Sequence, residues 1–159
     1  MAESVRERIM KNLQAALQGI TVGNGFTNTL NAVERTLQRG QSHQPPVAYL
    51  IEGDDDVLAD GPLSGNDALL SRALAVGVVL VVQQDEDVDA RSASEVMNSL
   101  IADVQKQLQV DYRRGELAIN TEETGVSPVQ IEEGQPVLSC AVAYRIPYRH
   151  RRLDPTIAG

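Results

Sequence analysis

The stretch Leu74-Ala75-Val76-Gly77-Val78-Val79-Leu80-Val81-Val82 carries no charge, and five of its nine residues are valine. β-Branched side chains lose rotamer freedom in a helix and pack well on a pleated surface. A short, unbroken apolar run of this kind predicts a strand buried on both faces. It is too short to cross a bilayer, which takes about 20 apolar residues. The run is therefore expected to be the central strand, with other strands beside it and helices across one face.

Around that strand, 159 residues suit one domain. A chain of this size buries roughly 68–70% of the surface its unfolded form exposes, so one core suffices. One Phe, four Tyr and no Trp make that core aliphatic. A formal charge of −8 argues against general nucleic-acid binding. The acidic residues cluster at Asp54-Asp55-Asp56, at Asp85-Glu86-Asp87 with Asp89, and at Glu122-Glu123 and Glu132-Glu133. Basic residues crowd the end as Arg145, Arg149, Arg151 and Arg152. A single cysteine, Cys140, excludes an internal disulfide and fits a reducing compartment. Residues 1–8 alternate charge and lack an apolar signal core, so no membrane or secretory targeting is expected.

Before the central strand, Val5, Ile9, Leu13 and Leu17 recur at helical spacing, predicting a helix over 4–18 with Ser4 and Glu7 as a capping box and Gly19 as its stop. Residues 31–37 suggest a strand with Val33 and Leu37 inward. Val47 to Ile51 predicts another, after Pro45 and Pro46, which cannot donate to a ladder. Residues 54–68 are expected to form an exposed loop or hairpin tip. After the central strand, Val96, Leu100, Val104 and Leu108 mark a helix over about 90–110, with Ser92, or Asp87 or Asp89 for an earlier start, as its cap and Arg113-Arg114-Gly115 at its end. Glu116 to Asn120 is expected to be a strand, and 121–136 a long loop or protruding hairpin. From Val137 to Tyr148 the chain alternates, with Leu138, Cys140, Val142, Tyr144, Ile146 and Tyr148 on one face. The resulting expectation is an α+β fold: a mostly antiparallel sheet of about four to five strands with two α-helices on one face. A single domain over 1–148 is followed by a C-terminal arm, 149–159, without periodicity.

No reaction centre is expected. Gly23-Asn24-Gly25-Phe26-Thr27-Asn28 starts like a dinucleotide fingerprint, but follows a helix and has Asn at its sixth position. Asp85-x-Asp87-x-Asp89 opens like a calcium loop, yet Ala90 replaces the turn glycine and Val96 the bidentate glutamate. Three consecutive aspartates in an extended chain do not converge on one ion. Cys140 lies on an apolar strand face as a structural thiol. His43 and His150 fall in polar segments without zinc or Ser/His spacing. Arg149-His150-Arg151-Arg152 reads as a solvated terminus, since no aromatic residue interleaves it for nucleic-acid stacking. A further reading docks this basic tail against an acidic patch on a neighbouring copy. No cofactor, metal or catalytic residue is expected.

The order of features resembles the tail terminator (tail completion) proteins of long-tailed phages and phage-derived particles. The resemblance rests on the opening helix with Arg6, Arg8 and Ile9, on Pro46-Val47-Ala48-Tyr49-Leu50 leading into Glu52-Gly53, and on the apolar strand followed by Asn98-Ser99-Leu100-Ile101-Ala102-Asp103-Val104. It continues in Gly115-Glu116-Leu117-Ala118, the acidic loop behind it, and Val142-Ala143-Tyr144-Arg145 with Asp154-Pro155. It implies an α+β protein assembling as a hexameric ring on the completed tail tube. Such a ring stops tube polymerisation, meets the head-side connector or stopper protein, and lets genome DNA pass through its lumen without sequence-specific binding. The implied location is the virion tail or neck, with assembly in the bacterial host cytoplasm. The charged residues Asp54, Asp55, Asp56, Asp85, Glu86, Asp87, Glu122, Glu123, Arg145, Arg149, Arg151 and Arg152 are the candidate lumen or subunit contacts. Acidic groups lining a lumen would repel DNA phosphate. A neck or head-completion connector, and a small cytoplasmic ligand-binding α+β domain, are the alternatives.

Overall fold

The computed structural model describes residues 1–35, 43–58, 68–84, 92–131, 134 and 136–159. In chain order these form α1 (Val5–Gln18), a 3-10 turn (Val22–Asn24), β1 (Ala32–Glu34), β2 (Val47–Val57), β3 (Leu69–Gln83), α2 (Ala93–Val110), β4 (Glu122–Val126), β5 (Gln130–Ile131), β6 (Val137–Arg151) and β7 (Asp154–Ala158). The architecture is α+β, as expected, with a larger sheet of seven strands ordered β1-β2-β3-β6-β4, β5 and β7 also pairing with β6. The β1–β2 pair is parallel and the other pairs are antiparallel.

Both helices start where a side-chain oxygen meets an orphan backbone N–H. Ser4 Oγ accepts from the Glu7 amide at 3.1 Å and Ser92 Oγ from that of Glu95 at 3.3 Å. Glu7 does not complete the box; its carboxylate turns to Arg35, at 2.7 and 3.0 Å. Gly19 ends α1 in a right-handed conformation, φ −75°. The end of α2 is more unusual. Arg114, Gly115 and Glu116 are consecutive left-handed residues at φ 51°, 65° and 65°. The Gly115 amide donates to Asp111 Oδ2 at 2.7 Å and the Ala118 amide to the Arg113 carbonyl at 2.9 Å, closing the turn. Arg114 is fully buried and donates to the Leu108 carbonyl, serving one of the unpaired carbonyls of the last helical turn.

β3 and β6 pair over their whole 15 residues, from Leu69 opposite Arg151 to Gln83 opposite Val137. The outer edge of β6 is then covered piecewise. β5 meets Leu138 and Ser139, β4 meets Val142 to Arg145, Ala118 bridges to Tyr148, and β7 meets His150 and Arg151. Short segments of this kind blunt an edge that would otherwise present unpaired backbone groups.

Several expectations change. The segment 121–136 is neither a long loop nor a protruding hairpin but contains two strands that both pair with β6, and 116–120 is a turn with a single bridge rather than a strand. The segment 149–159 is not a loose arm: β6 runs on to Arg151, and β7 folds back on it. Arg8 Nη2 secures β7 by donating to the Thr156 carbonyl at 2.7 Å. His150 is buried in β6 rather than lying in a polar tail. Residues 54–57 continue β2. Leu37 falls outside the described residues.

The central strand is buried on one face, not two. Leu74, Val76, Val78, Leu80 and Val82 join Leu138, Cys140, Val142, Tyr144, Ile146 and Tyr148 in one core with Val5, Ile9, Leu13 and Leu17 of α1 and Met97, Leu100, Val104 and Leu108 of α2. On the opposite face Ala75 is exposed, and Gly77, Val79 and Val81 are half-buried. Both helices belong to the first face.

Candidate assembly surfaces

β2 carries an irregularity that sorts the aspartate triplet. Glu52 pairs with Val76, but the next register pair is Asp55 with Leu74, so β2 uses one extra residue here. Side chains alternate along a strand, and one added residue flips everything after it. Asp55, rather than Asp54, therefore joins Glu52 on the helix side. Gly53 sits at the bulge, where a Cβ would lie 3.2 Å from both the Cβ and the carbonyl oxygen of Ala75. Asp56 pairs with Ala73, on the opposite face. Asp54 and Asp56 are exposed, without a side-chain hydrogen bond or ion pair among the described residues.

On the helix side the bulge builds a charged junction. Asp55, its side chain 8% exposed, accepts from Arg72 Nε at 3.1 Å and from Tyr148 Oη at 2.8 Å, with Arg6 Nη1 at 3.5 Å. Arg72 Nη2 also donates to the Asp55 carbonyl at 3.1 Å. Glu52 accepts from Arg6 at 2.8 Å and from Arg35. The Arg35 bond holds the Glu7 carboxyl below its ordinary range, and Glu7 in turn raises Arg35. Burial, then the Asp55 bond, pushes the Tyr148 phenol up. The junction opens into a cleft of about 380 Å³ beside the start of α1, lined by Ser4, Arg6, Asp55, Leu70, Arg72, Tyr148, His150, Arg152 and Pro155. His150 Nδ1 lies 2.7 Å from the Arg151 carbonyl. Arg6 and Arg72 thus share Asp55, with Glu52 as a second carboxylate on Arg6.

The other candidate residues do not gather at one place. Glu122 pairs with Arg145 at 3.3 Å across β4 and β6, on the face without helices. Glu123 turns to α2 and accepts from Gln105 Nε2 at 2.8 Å. Arg149 is exposed and donates from Nε to Ser71 Oγ at 3.2 Å. Arg151 and Arg152 are exposed at the strand end. Asp85, Glu86 and Asp87 lie outside the described residues. Among the described residues, no group of three or more His, Cys, Asp or Glu is placed to hold a metal, and no helix is long and apolar enough to cross a membrane.

Sequence reading singled out neither Glu7, Arg35, Glu52, Arg72, Tyr148 nor Arg114 as a site residue. Arg72 had a usable signal: it shares parity with Leu74 and so faces the helices. Arg114 had none beyond its position after a helix. Its Nε and Nη1, like Tyr144 Oη, are buried without a hydrogen-bond partner among the described residues. Burial lowers the Arg114 pKa and raises that of Tyr144.

The second surface is the sheet face without helices. The register aligns Tyr49, Val79 and Ala141 in one row and Ile51, Gly77, Ala143 and Gly125 in the next. A Cβ added at Gly77 would meet only the Ile51 Cβ, at 4.0 Å, and one at Gly125 would meet nothing. The rows are small, apolar and open in the middle.

No protein-family model matches the chain, and no curated protein matches it.

Proposed function

We propose that the chain is a structural ring protein of the phage tail terminator kind, capping a tail tube at its head-proximal end. The observation that carries this reading is the second face of β3. A strand whose two faces are both apolar asks to be covered twice, and the helices cover it once. Contiguous apolar surface of this sort marks contacts with other proteins. A closed ring needs heterologous contacts, in which one surface of a subunit fits a different surface of the next. The open sheet face and the charged cleft lie on opposite sides of the sheet, so one subunit offers two unlike surfaces. The α+β fold agrees with what the resemblance implies.

In this reading the ring joins the tail tube to the head-side connector, and DNA crosses its lumen. Native mass spectrometry of the purified chain with tail tubes is expected to show six copies bound at one tube end. Binding along the tube wall, or a single copy at every concentration, contradicts it. Particles lacking the protein are expected to carry overlong tails, whereas tail-less filled heads favour a neck connector.

The cleft favours a second reading, a small ligand-binding domain that takes an anion. Against it, Asp55 already occupies the centre of the arginine cluster and satisfies Arg72 and Tyr148. Calorimetric titration with phosphate and with small carboxylates separates the two readings.

A further inference from the structure

We infer that the open face of β3 in one subunit receives the β4–β5 segment of the next copy of the chain, anchored by Val126, Val129 and Ile131. The inference rests on the ring reading and names the contact that closes the ring. Residues 124–131, Thr-Gly-Val-Ser-Pro-Val-Gln-Ile, carry no charge, although Glu122-Glu123 and Glu132-Glu133 bracket them. Val126, Val129 and Ile131 are all exposed. They form a cluster along one short segment, unlike the scattered single apolar residues of an ordinary surface. Val126 sits opposite Val142, and Ile131 opposite Leu138. Both of those residues belong to the core beneath the helices, and directly opposite residues in a ladder share a face. Val126 and Ile131 therefore lie on the helix side of the sheet, beside the outer edge of β6. The open face of β3 is on the other side, so one subunit cannot bring the two patches together. A second copy can, front to back, and each added copy leaves one segment and one face to fill until the rotation closes. Pairing face to face, or segment to segment, would cover one patch and leave the other in water. The two surfaces also suit each other. The face is shallow at Gly77, where a Cβ would meet only the Ile51 Cβ, at 4.0 Å, so branched side chains can enter it. Its rows from Tyr49 to Ala141 and from Ile51 to Ala143 hold no charge, so the contact strands no ion at its centre.

The test cross-links the two surfaces. Val79→Cys alters a half-buried side chain of the open face and Ile131→Cys an exposed one of the segment, while the native Cys140 is buried. Treated with a short bismaleimide, the chain carrying both substitutions is expected to give a covalent ladder that ends at the closed ring on a denaturing gel. Either single variant should stay at one copy, and a mixture of the two should stop at two copies. Separately, Val129→Lys/Ile131→Lys is expected to keep its fold by circular dichroism and to lose about tenfold or more in self-association by sedimentation velocity, as truncated interface anchors do. Should that pair unfold the chain, Ile131→Lys alone carries the measurement, with a smaller loss. A covalent dimer from Val79→Cys alone, an assembled double-cysteine chain that does not cross-link, or a folded lysine variant that assembles like the wild type overturns the inference and leaves the ring reading standing. A wild-type chain that never assembles, with or without tail tubes, overturns both.

Discussion

The middle of β3 has two uncharged faces, and they meet different fates. Leu74, Val76, Val78, Leu80 and Val82 are all at most 3% exposed beneath the helices. Ala75, Gly77, Val79 and Val81 carry no more charge, yet remain exposed or half-buried. Charge does not separate the two sets; the open one is smaller, with Ala and Gly and no Leu, and the amphipathic stripes of α1 and α2 cover the other. Within a subunit the first face supplies stability. The second is left open there, and in the ring reading proposed above it is a contact surface.

The sharpest way to break this comparison is to truncate one residue on each face. Leu80→Ala is expected to cost about 2–5 kcal/mol of unfolding free energy by denaturant titration, from lost burial plus the cavity left behind. Val81→Ala, its neighbour on the other face, should change the stability of the single subunit by only about 0.5 kcal/mol. Equal losses would mean that both faces are packed alike.

The aspartates offer the same contrast at smaller scale. Asp55→Asn removes the charge between Arg6 and Arg72 and should cost about 1–3 kcal/mol, in the range for hydrogen bonds to charged groups. Asp54→Asn should stay within about 0.5 kcal/mol. Asp55 and Asp54 of equal weight would contradict the division made by the bulge.

Two tyrosines on the covered face of β6 refine the comparison through pH. Tyr144 and Tyr148 are both raised above the ordinary value of 10.0, chiefly by burial. Their folded forms hold the proton more tightly than the unfolded chain does, so their contribution is complete below about pH 10 and is lost as pH rises through the folded values. Denaturant midpoints measured upward from pH 9 should fall in the wild type and fall less in Tyr144→Phe. Since Tyr144 Oη has no hydrogen-bond partner among the described residues, Tyr144→Phe should be neutral or stabilising at pH 7, whereas Tyr148→Phe removes a bond to Asp55 and should cost about 1 kcal/mol. Glu7 runs the other way. Its carboxyl is held low by Arg35, so its smaller contribution is present above its ordinary value of 4.5 and disappears as pH falls through the folded value.

Much of the fold was legible because its signals are local. The four-residue spacing in α1, the serine caps and the alternation from Leu138 to Tyr148 each report on a few neighbours in the chain. The errors came where structure depends on a distant partner. Segments 122–126, 130–131 and 154–158 are short and polar, with Gly125 and Pro155 among them, and read as loops. They are strands because the long β6 offers them an unpaired edge. The open face of β3 departs from expectation for a related reason: an unbroken apolar run has the same sequence whether or not its own chain covers both faces. The bulge left one clue, an isolated Gly53 inside a strand pattern. Without its register, the three aspartates were indistinguishable, and the partition of the candidate site stayed hidden.

The most direct test places a charge on the open face. Val79→Glu should leave the thermal midpoint of the single subunit within a few degrees of wild type, because nothing in the subunit's core loses contact. In sedimentation velocity at matched concentration, the wild-type chain is expected to run as a multi-copy ring and Val79→Glu as one copy. A folded variant that assembles as the wild type does would contradict the assignment of this face to subunit contact, and a variant that fails to fold would show that the face belongs to the core after all.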